Sequence, residues 1–244
     1  MIGLLERGVA LADLARAMPV ALATFDPGSR PTGLVIVDEV NGFCTVGCGP
    51  LAPAAPNAQV DRMLRETVTL ARRFEAQGWP VLAFLDTHEP GKPEPPYPPH
   101  CEIGTGQENL VADLAWLETS PVATLIRKDC INGFVGAIDA RGRNSAAEWI
   151  TANGLGAVVV VGICTDICVM DFVLTLLSAR NHGLLGALRD IVVYEPGCAT
   201  YDLPAEVVER LSLPATATHP QDLAHHMGLY FMASRGALLA GEIA

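Results

Sequence analysis

Five short runs of apolar, mostly β-branched residues punctuate the chain: GLVIVDEV (33–40), PVLAFLD (80–86), ATLIRKD (123–129), AVVVVG (157–162) and IVVY (191–194). They are continuous rather than alternating, as strands buried on both faces read. Between them, apolar positions recur at helical spacing. NAQVDRMLRETVTLARRFEAQG (57–78) and SAAEWITANG (145–154) each predict a helix closed by a glycine. DICVMDFVLTLLSARNHG (166–183) is apolar nearly all round and predicts a buried helix ending at Gly183. Strands alternating with helices predict an α/β fold, with a parallel sheet covered on both faces. The tail HPQDLAHHMGLYFMASRGALLAGEIA (219–244) reads as a last helix packing back on the sheet. MIGLLERGVALADLARAMPVAL (1–22) reads as an amphipathic helix, because Glu6, Arg7, Asp13 and Arg16 interrupt the apolar stretch that a cleaved leader needs.

Two segments break the rhythm. CTVGCGPLAPAAPN (44–57) follows the first strand and EPGKPEPPYPPH (89–100) follows the second. Both are longer than ordinary strand-to-helix connections, and active sites are usually built from such loops. With no internal repeat, low-complexity stretch or linker, residues 1–244 are expected to form a single domain, with an extension over 1–30.

Composition narrows the function classes. Half of the residues are hydrophobic and 18% are charged, which suits a globular domain. Sixteen Lys/Arg against 27 Asp/Glu leave a net charge of -11. Without a basic cluster, the chain is a poor partner for nucleic acid or an anionic membrane. No uninterrupted apolar run approaches the ~20 residues of a membrane span. Seven scattered cysteines, an odd number, point to reduced thiols and a cytoplasmic setting rather than a disulfide framework.

In an open parallel sheet, ligands bind outside the carboxyl ends of the strands. Here those ends carry Asp38, then Asp86 with His88 just beyond, then Lys128, then the turn ICTDIC (163–168). Charges inside strands are disfavoured unless paired, so their joint arrival at one edge argues for chemistry. Thr165 reads as the N-cap of the following helix. Cys168 then falls in the first helical turn, where the helix dipole favours the thiolate. The blander reading makes Cys168 core filler, Lys128 a solvated strand end and Asp38 a turn former. Asp86, His88 and His100 offer one carboxylate and two imidazoles, a set suited to Zn²⁺, Fe²⁺ or Mn²⁺. His225 and His226 read as packing or surface residues. A metal pair from Cys164 and Cys168 lacks a second cysteine pair, and their spacing is not that of a redox C-x-x-C.

Taken together, VIVDEVNGF (35–43), DTH (86–88), PYPPHCEIGT (96–105), RKDCINGF (127–134) and VVVVGICTDICV (158–169) resemble the isochorismatase-like cysteine hydrolases, and most of all the plant-type nicotinamidases. The resemblance implies a three-layer αβα sandwich with a six-stranded, mainly parallel sheet. It implies an Asp38–Lys128–Cys168 catalytic triad, and one divalent metal, zinc first with iron or manganese as alternatives, on Asp86, His88 and His100. It also implies a cis peptide at Ile163–Cys164, an oxyanion hole from the N–H groups of Cys164 and Cys168, and a substrate slot between Phe43 and Tyr97. The expected reaction is hydrolysis of nicotinamide to nicotinate and ammonia in NAD salvage, by a protein that is free or a homo-oligomer. Ile167 departs from the aromatic often found before the nucleophile. Another amidase of the superfamily, acting on a ureido, N-carbamoyl or biuret-like amide, would share the triad. A non-catalytic zinc or thiol-sensing protein would keep the metal and leave Cys168 unreactive.

Overall fold

The structure is a computed structural model describing residues 10–92 and 94–244. Seven strands among these residues form one sheet: β1 (Ala23–Phe25), β2 (Thr32–Val37), β3 (Val81–Asp86), β4 (Ala123–Lys128), β5 (Ala157–Ile163), β6 (Asp190–Ala199) and β7 (Leu238–Ile243). Their order is β1-β7-β6-β5-β2-β3-β4, and every pair is parallel. The expected six strands are therefore corrected to seven. The helices are α1 (Leu11–Ala17), α2 (Asn41–Cys44), α3 (Ala58–Ala76), α4 (Gly133–Gly136), α5 (Ser145–Ala152), α6 (Cys168–Asn181), α7 (Ala205–Arg210) and α8 (Gln221–Ala233).

The strands run apolar without alternation because both faces are covered. On one face Val35, Val37 and Phe84 meet Trp149 of α5, Phe172 and Leu176 of α6 and Met232 of α8. On the other, Leu34 and Ile36 meet Met63 and Phe74 of α3, with Leu114 and Leu117 of a 3₁₀ segment (Ala112–Thr119). Local signals set the helix starts. Asn57, Asn132 and Asn144 each accept backbone N–H bonds at the heads of α3, α4 and α5, offsetting donors that a helix start leaves unpaired.

The N-terminal helix is shorter than the sequence suggests. It covers Leu11–Ala17 with no buried residue, and residues 1–9 of the expected helix lie outside the described residues. The chain after it becomes β1, which extends the sheet beyond β7. His226 of α8 donates from Nε2 to the Met18 carbonyl at 2.7 Å and ties this extension down. The tail is likewise not all helix, since α8 is followed by β7.

β2 and β5 are the neighbours from which the strand order departs in opposite directions. A crevice outside their carboxyl ends is where such sheets bind ligands. The two strands meet closely there. Gly162 has φ 126°, and a Cβ on it would collide with the Val37 backbone. Only glycine fits that approach, which brings the ends leading to Asp38 and Cys168 together.

Candidate active site

Asp38 follows β2 directly, with φ 55° and no exposed surface. Lys128 ends β4 opposite Asp86 at the end of β3, in parallel register. The Lys128 Nζ lies 2.8 Å from Asp38 Oδ2 and 2.9 Å from Asp86 Oδ1, with all three side chains buried. One ammonium thus faces two carboxylates. Neither Asp38 oxygen makes an aligned hydrogen bond to the protein, so the carboxylate retains capacity to receive a proton. Cys168 opens α6, 9% exposed, and Lys128 and Asp38 are the charges that act on it most strongly.

The electrostatics follow from burial and this pairing. Burial raises Asp38 to about 7, although Lys128 pulls it down. Burial opposes the charge on Lys128, but Asp38, Cys168 and Asp86 hold it well above the usual lysine range. Burial also pushes the Cys168 thiol up, with Lys128 only partly compensating. Desolvation favours the neutral form of a buried thiol, so the resting group is a thiol beside a base.

Thr165 also differs from expectation. The N-cap of α6 is Ile167, without a side-chain cap. The Thr165 hydroxyl instead pairs with His225 Nδ1 at 2.8 Å, and His225 Nε2 reaches Glu195 at 3.2 Å. His225 is thus a buried tie to the nucleophile turn, which its position on an apolar helix did not reveal. The Ile163–Cys164 peptide is cis. The Ile167 and Val169 N–H groups both donate to the Cys164 carbonyl. The N–H groups of Cys164 and Cys168 have no hydrogen-bond partner among the described residues. Two unspent donors flank the thiol.

Asp86, His88 and His100 come together as the sequence suggested, and Glu94 joins them. One ligand atom from each lies within 4.8 Å of all the others. The Nε2 atoms of His88 and His100 lie 3.1 and 3.2 Å from Asp86 Oδ2, and 3.7 and 3.6 Å from Glu94 Oε2. His100 Nδ1 donates to the Pro98 carbonyl at 2.7 Å. That bond fixes the tautomer and leaves Nε2 as a lone-pair donor. Burial works against the Asp86 charge, yet Lys128 and the two imidazoles hold it well below the usual carboxylate range. Two nitrogens and two carboxylate oxygens converging in a buried site fit a divalent cation. Glu94 was hidden in the sequence among the prolines of EPGKPEPP, where nothing marks which acid turns inward.

Phe43 and Tyr97 both border this cluster. Their ring centres lie 5.6 and 6.2 Å from that of His100. Both are partly exposed, which leaves ring surface for a ligand. Cys164 is also partly exposed, and burial pushes its thiol up to about 12, so it stays neutral.

Among known proteins, an isochorismatase domain family model matches residues 32–212. Nicotinamidase 1 of Arabidopsis thaliana is 54% identical over 211 residues, covering 86% of each chain. The crystal structure of a nicotinamidase from Bacillus subtilis superposes with a TM-score of 0.62 at 21% identity, over 86% of this chain and 99% of that one. A pyrazinamidase of Pyrococcus horikoshii, solved in complex with zinc, gives a TM-score of 0.60 at 20% identity, over 86% and 98%. These two structures share the fold.

Proposed function

The chain belongs to the isochorismatase family, and on that premise we propose that it is a nicotinamidase, hydrolysing nicotinamide to nicotinate and ammonia. The observation that carries the reading is the buried line Asp38–Lys128–Asp86, which joins a base beside a thiol to a cation-binding donor set. A thiol with a base and two free N–H donors suits acyl transfer. The donor set bordered by Phe43 and Tyr97 suits a flat ring carrying a lone pair. The 54% identity to the Arabidopsis nicotinamidase supports the same substrate.

In this reading Asp38 takes the thiol proton as Cys168 attacks the carboxamide carbon. The oxygen of the tetrahedral intermediate accepts from the N–H groups of Cys164 and Cys168; removing one such donor typically costs ~10²–10³ in rate. Asp38 passes its proton to the departing amide nitrogen, which leaves as ammonia. Water then attacks the thioester, with Asp38 accepting its proton, and nicotinate leaves as Cys168 regains a proton. Lys128 stays charged and balances Asp38 throughout. Asp86, His88, Glu94 and His100 would hold a divalent ion, zinc in our reading, which would supply a Lewis-acid anchor for a ring lone pair. Phe43 and Tyr97 flank the ring. Cys164 acts through its backbone. We place the enzyme in the cytoplasm, which its seven free cysteines support, and take residues 1–244 as one domain.

The test is ammonia release from nicotinamide by metal-loaded wild type, Cys168→Ala and Cys164→Ala. Release by wild type and Cys164→Ala, and none by Cys168→Ala, is expected. A wild type inert towards nicotinamide but active on ureido or N-carbamoyl amides would move the function to that other class.

A further inference from the structure

The turn that carries Cys168 also carries Asp166, a carboxylate two residues from the nucleophile that the hydrolysis does not use. Both of its oxygens are committed. Thr200 donates from its hydroxyl to Oδ1 at 2.7 Å, and His219 donates from Nε2 to Oδ2 at 2.9 Å. His219 Nδ1 faces the Tyr201 carbonyl at 2.9 Å. Acceptors at both nitrogens favour the doubly protonated, positively charged ring. Burial opposes that charge, but the bond to Asp166 raises His219 above its ordinary value.

These partners come from one excursion. After β6, residues 200–220 leave the sheet and include α7. The excursion closes on itself, because Leu203 and His219 exchange backbone N–H···O bonds of 2.8 Å each. Its base is fixed to the nucleophile turn by Asp166 and by the Thr165 N–H, which donates to the Ala199 carbonyl at 2.8 Å. From behind, α8 packs so tightly that a Cβ on Gly228 would lie 2.8 Å from the Asp166 Cα.

The result is an aromatic ring held rigidly at the site. The His219 ring lies flat on Tyr201, with centres 3.8 Å apart and planes 14° from parallel. A charged imidazole over a phenol face adds attraction to the stack. In the register that pairs Ile163 with Ala199, Tyr201 follows two residues on, beside the turn that carries Cys164. The Tyr201 ring is partly exposed, and burial of the rest raises its hydroxyl. Tyr201 thus stands at the carboxyl edge of β6, on the Cys164 side of the crevice.

We propose that Tyr201 is a specificity-determining wall of the substrate pocket, clamped by Asp166 and His219, which restricts the site to single-ring planar carboxamides. The proposal rests on the amide-hydrolase reading of Cys168. A pocket wall discriminates by size, and its loss shifts selectivity within about 10–200-fold.

Tyr201→Ala, Tyr201→Phe and wild type would be compared on nicotinamide and on the bicyclic quinoline-3-carboxamide, with melting curves as a folding check. In Tyr201→Ala, KM for nicotinamide is expected to rise about tenfold with kcat changed far less. The kcat/KM ratio of bicyclic to single-ring amide is expected to rise by a similar factor. Tyr201→Phe, which keeps the ring, should recover most of both effects. Unchanged KM and selectivity in Tyr201→Ala would overturn the proposal and leave the nicotinamidase reading intact. A wild type inert towards nicotinamide would overturn that reading, and the wall is then decided by alkylation. N-phenylmaleimide should gain on iodoacetamide at Cys168 in Tyr201→Ala, read by peptide sequencing; an unchanged rate ratio would refute the wall.

Discussion

Two clusters of imidazole and carboxylate flank Cys168, and they use the same groups in opposite ways. In Asp86–His88–Glu94–His100, the lone pairs of both rings and both acids converge on one small volume. In Asp166–His219 and Glu195–His225–Thr165, each ring nitrogen has its own partner at hydrogen-bond distance. The first cluster is a surplus of donors to a cation, incomplete on its own. The second is already satisfied. Residue type and burial do not separate a metal centre from a structural tie. The direction of the unspent lone pairs does.

The contrast can be broken most severely at Asp86. Asp86→Ala should lose the bound divalent ion, measured as metal per chain by elemental analysis, and at least about 10²-fold of activity. His225→Ala, on the satisfied side, should leave metal content at the wild-type level. A loss of metal in both would erase the distinction.

The next effect is on pH dependence. Asp38 must be ionised to accept the thiol proton, and burial sets it at about 7. Activity should therefore fall towards tenfold per pH unit below that value and level off above it. The kcat/KM profile of the metal-loaded enzyme checks this, and a limb near the ordinary carboxylate range would argue against a buried base.

The clamp comes third. His219→Ala removes one partner of Asp166 and the stack on Tyr201. It should raise KM several-fold with metal content unchanged, the reverse of the pattern at Asp86. The smallest effect is on stability. His225→Ala strands the Thr165 hydroxyl, while Glu195 keeps Arg62, and should cost about 1–3 kcal/mol in urea unfolding.

Much of this was legible in the sequence, for a physical reason. Central parallel strands must be apolar on both faces, so the five runs that became β2 to β6 stand out, and their polar ends mark the crevice. The edges of the sheet obey no such rule. β1 is three residues long, with two of them exposed. β7 contains Gly241 and Glu242 and is partly exposed. Neither makes a continuous apolar run, so the runs show five of the seven strands, and the six that the resemblance implied fall one short. Asp38, Lys128, Cys168, Asp86, His88 and His100 were identifiable because each sits at or just past a strand end, or closes a conspicuous loop. Glu94 was not, because loop position says nothing of which acid faces inward. Thr165 suits a helix cap by type, but α6 starts three residues later and its hydroxyl goes to His225. His219 and Tyr201 are eighteen positions apart, and the backbone pairing of Leu203 with His219 and the His219 Nδ1–Tyr201 carbonyl bond bring them face to face.

That pairing has a consequence for how the protein can vary. Residues 204–218 enter and leave through two positions already joined by a pair of hydrogen bonds. The entropy of bringing the ends together is therefore nearly independent of what lies between them, growing only as the logarithm of length. The segment is a natural cassette: it can be shortened, lengthened or exchanged while its anchors stay in place. Variation there would leave Tyr201, His219 and the turn that carries Cys168 where they are.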